Sequence, residues 1–293
     1  YGLRYEYQTP WVEKYNRLYT FDPSMNAIVT AGNTLPTDLV PAVVASLPSI
    51  ITAKQAGLPV RSLYKSDPFN FSPRIGLAIR PFGNSTTVVR MGYGIYTQMW
   101  PGLLATQNTG GPWQSDQSFI IQNNKPSIQF PNPFVTTSQY SGLQGVTGLN
   151  PDFPNERTQQ WSASVGHQIW NTVIDVAYTG TRAQNIPYSQ NLNLPHPSTS
   201  PYNPATLPFP AFTSVLYQQA GGMSGYNGLT VQADRHLSRG LTFNANYTWA
   251  KALTNVNLRS YNPVPQQNQY DLQLERADDP NIRRQQLRFS FVY

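Results

Sequence analysis

The feature that most limits what this chain can fold into is a period of two. Apolar and polar residues alternate over segments of about ten residues, the length a tilted strand needs to cross a bilayer. Successive side chains of a strand point to opposite faces, so each segment predicts a strand with one apolar and one polar side. In the first, Tyr1, Leu3, Tyr5 and Tyr7 oppose Gly2, Arg4, Glu6 and Gln8. Ile75, Leu77 and Ile79 alternate with Arg74, Gly76, Ala78 and Arg80. After the turn-forming Pro81-Phe82-Gly83-Asn84-Ser85, Val89, Met91, Tyr93 and Ile95 alternate with Arg90, Gly92 and Gly94. A second hairpin runs from Trp161, Ala163, Val165 and Ile169 through Asn171-Thr172 to Ile174, Val176 and Tyr178, with Asp175, Ala177 and Thr179 on the other side. A third joins Leu229, Val231 and Ala233, opposed by Asp234, through Ser238-Arg239-Gly240 to Leu241, Phe243, Ala245, Tyr247 and Trp249. The last segment sets Leu287, Phe289, Phe291 and Tyr293 against Gln286, Arg288 and Ser290. The pattern predicts about eight strands.

Connection lengths narrow the architecture. Tight turns alternate with long stretches near residues 10–70, 99–155, 188–222 and 253–282. A compact soluble domain seldom carries several loops longer than about 15 residues. An outer-membrane barrel places short turns on its periplasmic rim and long loops on its extracellular rim. The predicted fold class is therefore all-β, an antiparallel transmembrane β-barrel. A spanning helix is not expected, because the longest apolar run, 39–53, is broken by Pro41 and Pro48. Phe82 and Trp170 fall beside short turns, and Trp11, Trp100, Tyr178 and Trp249 near the opposite strand ends, as two interfacial girdles require. The competing explanation is that aromatic residues favour strands in general.

Composition closes other routes. Only 12% of residues are charged and 13% are aromatic, with 20 Gly and 26 Pro, which suits strands and turns over helices. There is no cysteine, so disulfide frameworks and thiolate metal sites are excluded. The net charge of +6 is scattered along the chain and gathers on no face or run, so a nucleic-acid partner is not expected. The chain opens at Tyr1 without a leader pattern, and a longer precursor is expected.

Several segments resemble one family in order and spacing: Tyr1-Gly2-Leu3-Arg4-Tyr5-Glu6, Phe71-Ser72-Pro73-Arg74-Ile75-Gly76-Leu77-Ala78, Arg90-Met91-Gly92-Tyr93-Gly94-Ile95-Tyr96, Arg157-Thr158-Gln159-Gln160-Trp161-Ser162, Ala177-Tyr178-Thr179-Gly180-Thr181-Arg182, Ser224-Gly225-Tyr226-Asn227-Gly228-Leu229, Tyr247-Thr248-Trp249-Ala250-Lys251-Ala252 and the Arg283-Arg284 pair. Together they resemble the middle part of the barrel of Oar-like TonB-dependent transporters, common in Acidobacteria. That resemblance implies residues 1–293 are a partial barrel domain, one section of a barrel of roughly 22 strands. It also implies a plug and an N-terminal domain outside this sequence, outer-membrane lipid as surroundings, and the TonB-ExbB-ExbD system as energy source. The solute, an oligosaccharide, peptide or chelate, would be caught by extracellular loops and imported through the lumen.

Two groups of residues are candidates for function. Arg4, Glu6, Arg74, Arg80, Arg90, Asp175, Asp234 and Arg288 fall on the polar face and would line the lumen, where a field of one sign concentrates counter-ions. The plain alternative is ordinary polar lining, which barrels of this kind have in general. Trp100, Trp113, Tyr140 and Tyr217 lie in long connections, where rings make stacking platforms for sugars or peptides. Their alternative is packing of the loops on one another.

Glu275, Asp278 and Asp279 form the one tight acidic cluster, but Arg276, Arg283 and Arg284 stand beside it and the spaced ligands of a calcium loop are absent. The Gly92-Tyr93-Gly94 pair lies inside an alternating strand and opens no helix, so it is not a nucleotide loop. His167, His196 and His236 are far apart, and no catalytic motif occurs, so no enzyme, cofactor or metal site is expected. Two rivals remain open: a complete small outer-membrane barrel, and a soluble extracellular adhesion or carbohydrate-binding module whose strands alternate because one face packs on a core.

Overall fold

The computed structural model describes residues 1–83, 86–99, 108–114, 144–196, 199, 201–238, 240–256, 268 and 270–293. In chain order its elements are β1 (Gly2–Tyr5), β2 (Tyr19–Asp22), β3 (Ala27–Thr30), α1 (Pro41–Ser46), β4 (Ile50–Thr52), β5 (Phe71–Ile79), β6 (Thr87–Gln98), β7 (Gln144–Leu149), β8 (Glu156–Ile169), β9 (Thr172–Asn191), β10 (Phe212–Ser238), β11 (Leu241–Thr254), β12 (Ala277–Asp278) and β13 (Gln285–Val292). Among the described residues no helix is long and apolar enough to cross a membrane.

Eight strands pair antiparallel across one sheet in the order β1-β5-β6-β8-β9-β10-β11-β13. These are the segments whose alternation predicts them. β12 pairs with β11 beyond the reach of β13, and β7 adds to β10 in parallel. Short turns join β5 to β6, β8 to β9 and β10 to β11 on one rim, and every other connection leaves from the opposite rim.

The register sorts the two faces. On one face Ile79, Val89, Val165, Val176, Val231, Tyr247 and Leu287 stand opposite one another in a row from β5 to β13. One residue along, the row on the other face is Ala78, Arg90, Ser164, Ala177, Thr230, Thr248 and Gln286. Side chains alternate with period two, so a slip of one residue would exchange the two sets. Apart from the half-buried Val89, every member of the apolar row is exposed, and Ile75 and Phe289 on the same face are 62% and 61% exposed. A domain folded in water would have packed that face against a core.

The buried core lies elsewhere. Residues 10–70, expected as a loop, contain the three-stranded sheet β2-β3-β4, which packs over β7 and the far end of β10. Phe21, Ile28, Val146, Phe212 and Val215 form its centre, with Phe21 and Val215 fully buried. Thr147 and Leu149 of β7 donate to the hydroxyls of Tyr19 and Thr20, both at 2.8 Å. Gly148 admits this approach, since a Cβ there would stand 2.5 Å from the Tyr217 ring and 2.8 Å from the Phe21 carbonyl oxygen. Leu18, Val29, Ala31, Ala53 and Leu63 fill a second cluster. The long connections on this rim therefore build a folded cap.

The stretch 188–222, also expected as a loop, is strand at both of its ends. β9 runs to Asn191 and β10 begins at Phe212, with their pairing continuing past register shifts at 220–223. The 27 residues of β10 reach about 90 Å, roughly three times the hydrocarbon thickness. The β8–β9 turn is Trp170-Asn171, one residue earlier than expected, because Ile169 already pairs with Thr172. Trp170 takes a left-handed φ of 52° there, unusual for a bulky residue.

Candidate functional site

The polar face and the cap carry the candidate residues. Arg4 pairs with Glu6 at the edge of β1. Arg74 of β5 holds its guanidinium 4.5 Å from the centre of the Tyr96 ring, and Gly94 between them leaves the room. Arg80 follows β5 at the short-turn rim, and Arg90 lies between Ala78 and Ser164. Asp175 lies beside Gly166, where a Cβ would meet its carboxylate at 3.0 Å. Asp234 accepts from Gln232 at 2.6 Å and also from Asn244. Arg288 stands opposite Asn246. The eight residues share one wall, but among the described residues Arg4–Glu6 is the one ion pair within the set.

The proposed loop contacts divide. Trp100 and Tyr140 lie outside the described residues, as do the turn residues Asn84, Ser85 and Arg239. Trp113 packs against the cap core, and its indole Nε1 donates to Asp38 at 3.0 Å. Asp38 also accepts from Arg17 at 2.6 Å, and these two donors, Arg17 first, hold its carboxyl below the usual range. Tyr217 is half-buried against Gly148; burial, aided by the charge of Asp22, pushes its phenol up to about 12. Glu13, Tyr15, Arg17, Thr109, Gly110 and Trp113 border a cleft of about 270 Å³ on the cap. No sequence pattern announces that cleft, because its walls come from residues some hundred positions apart.

The acidic cluster is dispersed among separate partners. Asp278 pairs with Arg284, Glu275 accepts from the Asn268 backbone at 2.8 Å, and Asp279 accepts from Asn281 through both its backbone and side-chain nitrogens. Among the described residues no group of three His, Asp or Glu side chains stands close enough to hold a metal. His167 bonds Thr87 at 2.7 Å, His196 stacks on Tyr270 with centroids 4.0 Å apart, and the His236 backbone bonds Asn171. The three histidines serve three different places.

Aromatic rings bracket the apolar face. Phe82 and Trp170 stand exposed at the short-turn rim. Toward the other rim, Tyr93 opposes Trp161, and Tyr178 reaches Trp249 through Leu229 in one row. The Trp161 indole covers Gly180, where a Cβ would approach it to 2.2 Å. Tyr93 and Trp161 join the expected girdle, whereas Trp11 belongs to the cap, its backbone donating to Tyr64 at 2.7 Å. An exposed apolar band between two aromatic belts, backed by a polar wall, is the geometry of a sheet with lipid on one side and a water-filled lumen on the other.

No curated protein matches the chain. It is similar to the outer membrane transporter YddB from Escherichia coli, with 13% identity, a TM-score of 0.42, and coverage of 66% of this chain and 21% of that one. It is similar to the FrpB iron transporter from Neisseria meningitidis, with 10% identity, a TM-score of 0.37, and coverage of 65% and 20%. For the siderophore receptor PirA from Pseudomonas aeruginosa the values are 12%, 0.37, 65% and 31%. The chain thus spans between 20% and 31% of the length of these three structures. Over residues 1–293 the sequence matches the outer membrane beta-barrel domain family, and the chain belongs to that family.

Proposed function

We propose that this chain is one section of a larger TonB-dependent receptor barrel of the Oar-like type, which captures a solute at its cap and imports it through the lumen. It acts by binding and gating, without catalysis. The observation that carries the reading is the open sheet: among the described residues Ile75–Ile79 of β5 pair only with β6, and β13 only with β11, so two strand edges of the apolar band lie free. Backbone groups without partners in hydrocarbon cost several kcal/mol each, which calls for further strands on both sides. A barrel wider than eight strands has room for both a solute path and a plug. The resemblance of eight sequence segments to the Oar-like family supplies the energy-coupled reading, with TonB-ExbB-ExbD as partner.

In this reading Arg74, Arg80, Arg90 and Arg288 face the solute path, balanced by Asp175 and Asp234, while the cap cleft bordered by Tyr15 and Trp113 makes first contact with an oligosaccharide, peptide or chelate. The test uses cells displaying the intact receptor and a panel of labelled solutes. Dissipating the proton gradient should abolish uptake while surface binding persists. Uptake indifferent to the gradient would mean passive diffusion and would remove the receptor reading.

A further inference from the structure

The lipid-facing side of the sheet carries a second feature, just beyond the aromatic belt on the loop rim. Arg182 lies two residues past Gly180 on the same face, opposite Gln159 on β8 and Gly225 on β10. Arg276, which follows the short 3-10 turn Leu272–Glu275, reaches the same place from the connection after β11. The two arginines border one cavity of about 490 Å³, whose walls also include Trp161, Leu253, Asn227 and Gln273. Among the described residues no carboxylate lines it. Lys251, opposite Asn227 on the same face, adds a third exposed cation nearby.

The carboxylates of this region are engaged elsewhere. Asp278 is held by Arg284, Glu275 by the Asn268 backbone, and Asp271 by the backbone of Gln273. Among the described residues no acidic group comes within 4.0 Å of Arg182, Lys251 or Arg276. Two arginines sharing a cavity repel each other unless an anion lies between them. The planar, permanently charged guanidinium is matched to phosphate, which it binds through paired hydrogen bonds. Position identifies where that phosphate comes from. The cavity opens on the outward face at the membrane's extracellular boundary, where the neighbouring molecules are lipids. Trp161, one same-face position nearer the belt than Arg182, and Leu253, level with Arg182, give it apolar walls suited to the methylenes next to a headgroup.

We propose that Arg182 and Arg276 form a binding site for the phosphate of an outer-leaflet lipid, with Lys251 adding to the attraction and Trp161 packing against the top of an acyl chain. The site stands apart from solute import and holds whatever the barrel transports.

The intact receptor containing this chain, extracted in mild detergent, provides the test by native mass spectrometry. Bisphosphorylated lipid A should be retained, and its dephosphorylated form released. The Arg182→Ala/Arg276→Ala protein should lose retention by about fivefold per arginine, as expected for single cations beside an anionic surface. Arg90→Ala on the lumen face should leave retention unchanged. Inorganic phosphate at equal concentration should not compete; full competition would mark a free-anion site and overturn the lipid assignment. Heat-modifiable gel mobility reports whether the double variant folds. If it does not, the unmodified protein decides alone: equal retention of the phosphorylated and dephosphorylated lipids overturns the proposal.

Discussion

Asp38 shows how single residues settle the cap. Its carboxylate receives both the Arg17 guanidinium and the Trp113 indole, and its folded pKa lies below the ordinary value. A depressed carboxylate pKa contributes stability above the unfolded value, about 4, that is lost as pH falls through the folded pKa. Cap resistance to protease should therefore decline on acidification below about pH 4 and be weakened by salt, since the pair is exposed. Asp38→Asn should show lower resistance with a flatter acid dependence; an unchanged acid profile in that variant would exclude Asp38 as the cause. The sequence could place Trp113 and Tyr217 in long connections but could not show their partners. Trp113 meets Asp38 across 75 positions, and Tyr217 lies on Gly148, contacts that no local pattern encodes. The Trp170 turn was missed by one residue for a related reason. Its left-handed position carries neither Gly nor Asn, the residues that usually announce one.

At the scale of the strand, alternation was legible wherever one face meets lipid, and lost where it does not. Between Ile174 and Tyr178 each outward residue is apolar and each inward one small or charged, so the assignment of the two faces followed from the sequence. Past Gly180, Tyr188, Ser189, Gln190, Gln218 and Gln219 place polar groups on both sides of β9 and β10, which are there bonded to each other, with β7 added on β10. The shifts at 220–223 also reset the parity. Strand continued, while the signal that predicts strand stopped. The face assignment leads to a measurable asymmetry. Val176→Arg directs a charge into lipid at a cost of about 2–4 kcal/mol, whereas Ala177→Arg directs it into the lumen. Membrane insertion and heat-modifiable folding should suffer from the first and tolerate the second, and equal tolerance would mean that the exposed band does not face lipid.

For the whole molecule, the count of eight antiparallel strands was legible, and their failure to close was expected only through family resemblance. Residues 1–293 refolded alone into detergent should aggregate, because the outer edges of β1 and β13 offer unpaired backbone groups to one another's copies. Gel mobility without boiling, with circular dichroism, reads the outcome. A monodisperse, heat-modifiable barrel would show that eight strands suffice and would favour the small-barrel rival.

The shared core of the cap also bears on how the exposed surface can change. Phe21 and Ile28 come from the first connection, Val146 from the second, and Phe212 and Val215 from the third. Loops hung separately from a rim can be exchanged one at a time between related receptors. Here a donor loop would arrive without its packing partners and leave a cavity that, for a lost Phe, costs about 3–5 kcal/mol. Grafting should succeed only when the three connections travel together, so this surface is expected to diversify as a unit.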